Sequence, residues 1–543
     1  MVPPATAHAM RWKTLAVLSL SLVIIGLDNT ILNVALPTLQ SEFAASASTL
    51  QWMVDAYLLV FAGLLLVFGT LGDRLGRKLA LQSGIVIFGV ASLGALVAGS
   101  AAEVILIRSL MGVGAALIMP ATLSIIANVF PPEERGKAIG IWAALAAIGI
   151  GLGPLAGGLL IEWFDWSAVF LVNVPVALAA VLLGIVWVPE SRDPRPGAFD
   201  VAGAVLSTAG FTVLVYAIIE APEQGWGSSP ILGLLAGAVA LLAAFVWWER
   251  RTPDPMLDLR FFRNARFSIG TVAVSVAFFS LLGGIFALTQ YLQFAHGYSA
   301  IEAGAIMSPL ALGLIIGAGS SSKAVGRIGA RRVVALGLTG VGLVLASTLA
   351  WDTGTGEPVL LAWFFALALS MGWVMAPATE AVVSAVPAAQ SGVASAMNTV
   401  ARMVSGALGV AVVGSLVNSL YRSDLEPSLA RLPEPAREAA GESVGAAGAI
   451  AGELPAEAGA SLMAASGDAF AGALGTGLVI AGAMSIAAAV IVALGLSSGP
   501  ARDVAGQVAL QRRPDRLRQR VRVAAGDRLD AHDVARHDHA DHL

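Results

Sequence analysis

The sequence contains no cysteine and few charged residues. Of its 543 residues none is Cys, and Asp, Glu, Lys and Arg together make up 13%, against roughly 25% in a typical soluble domain. The absence of cysteine excludes disulfides, thiolate metal sites and cysteine nucleophiles. The low charge, with a hydrophobic share of 57%, excludes a soluble enzyme and indicates a polytopic helical membrane protein.

Histidine is scarce wherever a catalytic or metal site would need it. Of the six histidines, four lie in the last dozen residues, and the others are His8 and His296. We therefore expect no histidine-based catalytic or metal site in the membrane domain, and no cofactor. No Ser/His/Asp or phosphate-binding constellation lies at a common depth either, so the sequence does not favour an enzyme.

Apolar runs of about 20 residues predict fourteen membrane spans. They begin near Thr14, Leu50, Leu79, Glu103, Lys137, Ser167, Phe199, Pro230, Phe267, Ile301, Val333, Pro358, Val393 and Ala469. Most of the 32 Lys and Arg residues fall on one side of this arrangement, with Arg422, Arg431 and Arg437 on the other and Arg108 and Arg402 inside spans. Because positive residues concentrate in cytoplasmic loops, we expect both termini in the cytoplasm and a multi-pass protein of the cytoplasmic membrane.

An internal repeat indicates two homologous halves. Residues 111–136 recur as 371–392, with shared Met-Gly, Pro-Ala-Thr, Pro and Gly positions, and 72–78 recur more weakly as 326–332. Spans one to six therefore match spans nine to fourteen, and the two spans between them are inserted. Two six-helix bundles related in this way are a transporter plan, with the substrate site near the membrane midplane between them.

The repeat defines the predicted domains of an all-α membrane protein. Residues 1–13 form a cytoplasmic N-terminus, 14–188 the first bundle, 189–265 linkers with two extra helices, and 266–495 the second bundle. Within the second bundle, 420–468 are Ala, Gly, Glu and Pro rich and predict a mobile external loop. Residues 496–543 predict a disordered cytoplasmic tail. The roles of this loop and tail are not specified by the sequence.

Three charged residues lie in the outer half of the first bundle. Asp28, Asp55 and Arg108 are roughly 8 to 12 Å below the outer ends of spans one, two and four, at about 1.5 Å per residue. An intramembrane charge is costly, so the three should face the interior and interact. Burial disfavours an ionised carboxylate and a nearby guanidinium favours it, so such a group can exchange a proton near neutral pH. We predict proton coupling for Asp28, with Asp55 either coupling or only structural, and Arg108 tuning both.

Four motifs resemble one known family. Residues 27–37, 69–78, 108–116 and 149–158 are similar to motifs of the fourteen-span drug:proton antiporters of the major facilitator superfamily, the branch containing quaternary-ammonium and other multidrug efflux pumps. Trp52, Asp55 and Tyr57 also resemble the second-span pattern of the quaternary-ammonium pumps. The resemblance covers nearly all of residues 12–495. It implies the major facilitator fold, and a proton-coupling or cation-responsive role for Asp28.

The resemblance also suggests roles for glycine-rich segments. The span-five antiporter motif comprises Gly149, Gly153, Pro154, Gly157 and Gly158, and the family's cytoplasmic gate comprises Gly72, Asp73, Arg74, Gly76 and Arg77. The first implies a barrier to leak between the halves, although close helix packing alone also explains its glycines. The second implies a cytoplasmic latch between the halves, although a plain positively charged loop explains its basic residues equally well. Asp73 and Arg77 are four residues apart, which predicts an ion pair, and Asp73 is also placed to cap the start of span three.

Three further residues are candidate substrate contacts: Trp142, Trp373 and Glu380. Packing explains the tryptophans at least as well. For Glu380 and Arg402, near cytoplasmic span ends, snorkelling to water or mutual pairing is the favoured interpretation.

The sequence therefore predicts a proton-driven antiporter that exports amphipathic, cationic or planar drugs by alternating access. Its partners are a small-molecule substrate, protons and the lipid bilayer, with no nucleic acid. Two alternatives stay open: a dedicated exporter of a metabolite, lipid precursor or self-made antibiotic, and a non-transporting membrane receptor or scaffold. Substrate identity, proton stoichiometry and oligomeric state have no sequence signal.

Overall fold

The long apolar segments are helices. The structure is a computed structural model that describes residues 10–192, 200–253, 255, 257–386, 391–430 and 432–495, and this part of the chain contains no strand. The helices are α1 Arg11–Phe43, α2 Ala47–Leu75, α3 Arg77–Gly94, α4 Ala101–Val129, α5 Pro132–Trp163, α6 Ala168–Trp187, α7 Val201–Gln224, α8 Ser229–Glu249, α9 Ala265–Ala295, α10 Ala300–Ile328, α11 Ala330–Ala350, α12 Glu357–Ser384, α13 Ser391–Leu429, α14 Glu434–Glu442, α15 Val444–Glu453 and α16 Ala456–Gly495.

Twelve of the described helices are long and apolar enough to cross a membrane. The two other long helices are α3 and α5. Helix α3 has 18 residues and begins with Arg77 and Lys78, and the apolar part found in α5 runs from Ile148 to Trp163. By length and composition, the structure thus supports twelve of the fourteen predicted spans.

Short turns separate the helices because capping residues or glycine end and restart them. Ser46 caps α2 by accepting a hydrogen bond from the backbone three residues later, and Ser299 forms a capping box with Glu302 at the start of α10. The turn from α2 to α3 and the turn from α10 to α11 each consist of one glycine. Gly76 has φ 131° and Gly329 has φ 84°, conformations that side chains disfavour.

The two halves share one packing scheme. In the first half α1 packs on α5, α2 on α4, and α3 on α4 and α6; in the second, α9 packs on α13, α10 on α12, and α11 on α12 and α16. Helices α1 to α6 therefore correspond to α9 to α13 and α16, the correspondence that the sequence repeat predicts. The helices with the best-matching sequences, α4 and α12, each contain an internal proline, Pro120 and Pro377.

The inserted helices α7 and α8 pack against each other, and α7 bridges the halves. Helix α7 contacts α2 in the first half and α13 in the second. Ser415 Oγ on α13 donates to the Ile218 carbonyl on α7 at 2.8 Å and lies 3.3 Å from Gln51 Oε1 on α2. Helix α7 therefore covers one side of the boundary between the halves.

Polar contacts between the halves cluster at the end of the bundle opposite Arg11. Gln293 Nε2 donates to the Val34 carbonyl at 2.9 Å, and Gln40 Nε2 donates to Ser443 Oγ at 2.5 Å. Val34 and Gln40 both belong to the last third of α1. We call the end where these four residues meet the closed end.

Residues 420–468 differ from the predicted mobile loop. They contain the end of α13, helices α14 and α15, and the start of α16. Tyr421, 1% exposed, contacts Ser466 Oγ through its hydroxyl at 2.8 Å. The alanine content that suggested a loop also gives a high helix propensity, and burial of Tyr421 stabilises the folded form. Residues 1–9 and the predicted tail 496–543 lie outside the described residues.

Candidate proton-coupling site

Asp28 and Arg108 form an ion pair inside the first half. Asp28 Oδ2 and Arg108 Nη1 are 2.5 Å apart, and each side chain is 1% exposed. Asp28 lies on α1 and Arg108 on α4. Removing one partner of a fully buried ion pair is strongly destabilising, so each residue stabilises the other. The structure thus brings together two of the three charges that the sequence placed in this bundle.

Helix α2 provides two further contacts for Arg108. Its Nε donates to the Met53 carbonyl at 3.1 Å, and its Cζ lies 4.4 Å from the centre of the Tyr57 ring. The guanidinium therefore joins α1, α2 and α4. Tyr57 was identified from the sequence only as part of a resembled motif, because its cation–π contact depends on helix rotation, which the sequence does not specify.

Asp55, the third predicted residue, takes no part in this ion pair. Its side chain is fully buried on α2, and neither carboxylate oxygen has a hydrogen-bond partner among the described residues. Burying an ionised carboxylate without a partner is costly. The predicted three-charge cluster is therefore a pair plus one separate acid.

One face of α5 packs directly on the helix that carries Asp28. A Cβ on Gly149 would lie 2.8 Å from the Val23 carbonyl oxygen, and one on Gly157 would lie 2.8 Å from that of Ile31. Gly153, between them, faces the same helix. These three glycines of the predicted motif therefore allow α1 and α5 to approach closely within the first half.

The neighbouring face of α5 contacts the second half. A Cβ on Gly158 would lie 2.9 Å from Ile301 Cα, and one on Gly304 would lie 3.1 Å from the Pro154 carbonyl carbon. Both partners, Ile301 and Gly304, are on α10. The predicted motif is thus divided: Gly149, Gly153 and Gly157 serve the interior of one half, whereas Pro154 and Gly158 lie at the boundary between halves.

The predicted cytoplasmic gate lies at the turn between α2 and α3. Its residues are Gly72, Asp73, Arg74, Gly76 and Arg77. Arg77 Nε contacts Asp73 Oδ1 at 2.7 Å, as their spacing predicts, and Arg77 N donates at 2.9 Å to the carbonyl of Ser191, which follows α6 at the start of the linker. The prediction that Asp73 caps α3 is wrong, because Asp73 lies in the last turn of α2 and Gly76 occupies the cap position.

The candidate substrate residues have partners within their own halves or lie at the surface. Trp142 Nε1 donates to Thr122 Oγ1 at 3.2 Å, and Trp373 Nε1 donates to Ser320 Oγ at 3.0 Å. Glu380 is exposed. Substrate contact by these three stays a prediction.

The contacts of the Arg402 side chain differ from the predicted ones. No ion pair joins it to Glu380 in the described part of the chain, and its Nε is buried without a hydrogen-bond partner. Its Nη2 donates to Thr399 Oγ1 at 3.2 Å, and its Cζ lies 5.3 Å from the Phe278 ring centre. Mutual pairing with Glu380 is therefore wrong. The prediction considered only depth along the helix, whereas the side chain points between α9 and α13.

Comparison with known proteins places these features in a family. Residues 18–410 match the model of the Major Facilitator Superfamily. The chain is 38% identical to the tetracenomycin C resistance and export protein of Streptomyces glaucescens, over 77% of this chain and 78% of that protein. It is 37% identical to the multidrug efflux pump LfrA of Mycolicibacterium smegmatis, over 90% of this chain and 97% of that protein. It is 34% identical to the methyl viologen resistance protein SmvA of Salmonella typhimurium, over 76% of this chain and 84% of that protein.

A solved structure shares the fold. A bacterial homologue of the human lysosomal transporter Spinster, in an inward-facing and unoccupied conformation, has a TM-score of 0.61 at 17% sequence identity, covering 90% of this chain and 99% of that one. The predicted family is confirmed, as is the prediction of a multi-pass membrane protein related to drug-efflux transporters. The chain belongs to the major facilitator superfamily, and its relatives are multidrug and antibiotic-resistance efflux pumps.

Proposed function

We propose that the protein is a proton-coupled antiporter of the cytoplasmic membrane that exports amphipathic, cationic or planar compounds. The observation that carries this proposal is the buried Asp28–Arg108 pair, 1% exposed on both sides, in a chain whose relatives are named as drug exporters. A transporter needs no resident cofactor for such a role, because the proton gradient supplies the energy. We accordingly propose that it is not an enzyme.

Protonation would change which helices the pair holds together. Neutral Asp28 attracts the guanidinium far less than the carboxylate does, whereas Arg108 keeps its Met53 and Tyr57 contacts on α2. Proton uptake would therefore loosen α1 from α2 and α4. Helix α1 also packs on the glycine face of α5, whose other face contacts α10. A shift of α1 can thus reach the boundary between the halves through one intervening helix.

Asp55 is proposed as a second protonation site. With both oxygens unpaired and buried, it suits the neutral acid in this conformation. A conformation that opened the first half to water, or to a cationic substrate, would favour its ionised form. The two acids would then respond to opposite states of the cycle.

The proposed topology has fourteen spans and cytoplasmic termini. Helix α5 has 32 residues, about 48 Å at 1.5 Å per residue, which exceeds the hydrocarbon core of roughly 30 Å. Helix α3 has 18 residues, about 27 Å, which is near the lower limit of roughly 17 residues for a spanning helix. The closed end would then face the outside. A dedicated antibiotic exporter is the second candidate, favoured by the similarity to the tetracenomycin C export protein.

Transport in proteoliposomes tests the proposal. We expect an imposed pH gradient to drive ethidium accumulation by the wild type, and Asp28→Asn to abolish the gradient-driven component while the variant still binds ethidium. Transport of aromatic polyketides but not of ethidium would favour the dedicated exporter. A wild type that moves no compound, with Asp28→Asn indistinguishable from it, would contradict antiport and favour a scaffold.

A further inference from the structure

A lone guanidinium lies inside the second half. Arg402 is half-buried on α13, and its Cζ lies 5.3 Å from the Phe278 ring centre on α9. Its Nη2 bonds to Thr399, but Nε is buried without a partner. No described residue accepts a hydrogen bond from Nη1. Unlike Arg108, which Asp28 neutralises, Arg402 therefore has unused hydrogen-bond donors and an uncompensated charge.

Neutral polar groups extend this site toward α12. Asn398 lies one helical turn before Arg402 and is 1% exposed. Its Nδ2 donates to Thr379 Oγ1 at 3.4 Å, and its Oδ1 has no partner. Buried polar atoms are normally satisfied, so unpaired atoms on Arg402 and Asn398 on consecutive turns indicate a place where a ligand supplies the missing partners.

The chemistry of these groups selects the ligand. A guanidinium with free N–H groups binds carboxylate, phenolate or carbonyl oxygens, strongly when the oxygen is charged. The Phe278 ring beside it adds an apolar surface for a planar compound. The only acidic residue near this level of α12 is Glu380, whose side chain is exposed, so the site repels cations rather than attracting them.

We propose that Arg402 and Phe278 form a subsite in which the guanidinium binds an anionic or electron-rich oxygen of a planar substrate, while Asn398 Oδ1, an unpaired acceptor, takes a hydrogen bond from a donor group of the same compound. This inference rests on the proposed export function and narrows its substrate class. The acids of the first half and the arginine of the second would then let one pump accept cations and oxygen-rich aromatic compounds at different places.

A pair of dyes tests this subsite. Rhodamine 123 carries a methyl ester where rhodamine 110 carries a free carboxylate, and the two share one planar ring system. Their binding to the purified full-length protein can be measured by fluorescence polarisation. We expect Arg402→Gln to weaken rhodamine 110 binding by roughly tenfold or more and rhodamine 123 binding by less than about threefold, with Arg402→Lys between wild type and Arg402→Gln.

Controls separate the possible failures. Arg422→Gln removes an arginine at the other end of α13, whose Nη1 donates to the Pro222 carbonyl at 3.5 Å, and should leave the affinity for both dyes unchanged. Equal losses for both dyes in Arg402→Gln, or an unchanged affinity for rhodamine 110, would overturn the subsite. If Arg402→Gln does not fold, equal affinities of Arg402→Lys and wild type for rhodamine 110 would also overturn it. A wild type that binds rhodamine 123 but not rhodamine 110 would overturn the subsite alone, whereas one that binds neither would contradict the proposed function itself.

Discussion

Adjacent glycines of α5 predict opposite consequences for the same substitution. A Cβ on Gly158 would lie 2.9 Å from Ile301 Cα across the boundary between halves, whereas one on Gly157 would lie 2.8 Å from the Ile31 carbonyl oxygen within the first half. Ordinary contacts of this kind are about 3.4 to 4 Å. Gly158→Ala should therefore disfavour the conformation with a closed boundary, and Gly157→Ala should destabilise the first half in every conformation.

The expected size follows from the cost of overpacking. Such an overlap costs about 1 to 3 kcal/mol. If only the closed conformation contains the Gly158 contact, the ratio of closed to open protein falls by roughly 5- to 150-fold. Gly157→Ala should cost a similar free energy but leave this ratio unchanged, because the contact between α1 and α5 is internal to one half.

The absence of native cysteine makes a clean accessibility assay possible. Gln51, 1% exposed at the boundary, is replaced by cysteine, and its rate of maleimide labelling is measured in purified protein. Gly158→Ala should accelerate labelling, Gly157→Ala should lower only the melting temperature, and Gly237→Ala, with nothing within 4 Å of its Cβ, should do neither. Equal labelling of the Gly158 and Gly157 variants would refute the assignment of two faces to α5.

Substitutions at three further residues, Arg108, Tyr57 and His296, test the site and its surroundings. Arg108→Gln leaves the Asp28 carboxylate buried without its partner and should cost about 3 to 5 kcal/mol, so the melting temperature should fall and partly recover in Asp28→Asn/Arg108→Gln; no recovery would argue against a coupled pair. Tyr57→Phe should have the melting temperature of the wild type, because it keeps the ring and the hydroxyl has no hydrogen-bond partner in the described part of the chain. Tyr57→Leu removes the buried ring beside Arg108 and should cost about 2 kcal/mol or more; equal melting temperatures of the two variants would exclude the cation–π contact. Burial lowers the pKa of His296 in the folded protein below its usual 6.5. At a pH between the folded and unfolded pKa values, the unfolded chain therefore binds more protons than the folded protein. Stability should therefore fall as pH drops below about 6.5, and His296→Gln should flatten the dependence of melting temperature on pH; an unchanged profile would remove His296 as its cause.

The sequence predicted features that follow from hydrophobicity, depth and repetition. Apolar runs predicted the order of the helices, and the repeat predicted that α1 to α6 correspond to α9 to α13 and α16. Intramembrane depth was enough to suggest that Asp28 and Arg108 interact, because few opposite charges were available at that level. These inferences depend on hydrophobic periodicity, on sequence repetition and on the free-energy cost of burying a charge in the membrane. All three can be read from a linear sequence.

The features that the sequence did not predict depend on helix rotation. The same depth argument grouped Asp55 with the ion pair, although its carboxylate is unpaired in the structure. It also suggested a partner for Arg402 in Glu380, whereas the guanidinium points toward Phe278. The hydrogen bonds of Gln40 and Gln293 at the closed end were not predicted, because neutral amides in an apolar run carry no signal until their partners are known.

Proton release on substrate binding tests the central claim most directly. Lightly buffered purified protein is mixed with ethidium, and the pH change is followed with an indicator for wild type and Asp28→Asn. The account predicts proton release from the wild type that saturates with substrate, and a smaller release from the variant, in which Asp55 but not residue 28 can give up a proton. Equal proton release from both proteins would contradict a coupling role for Asp28.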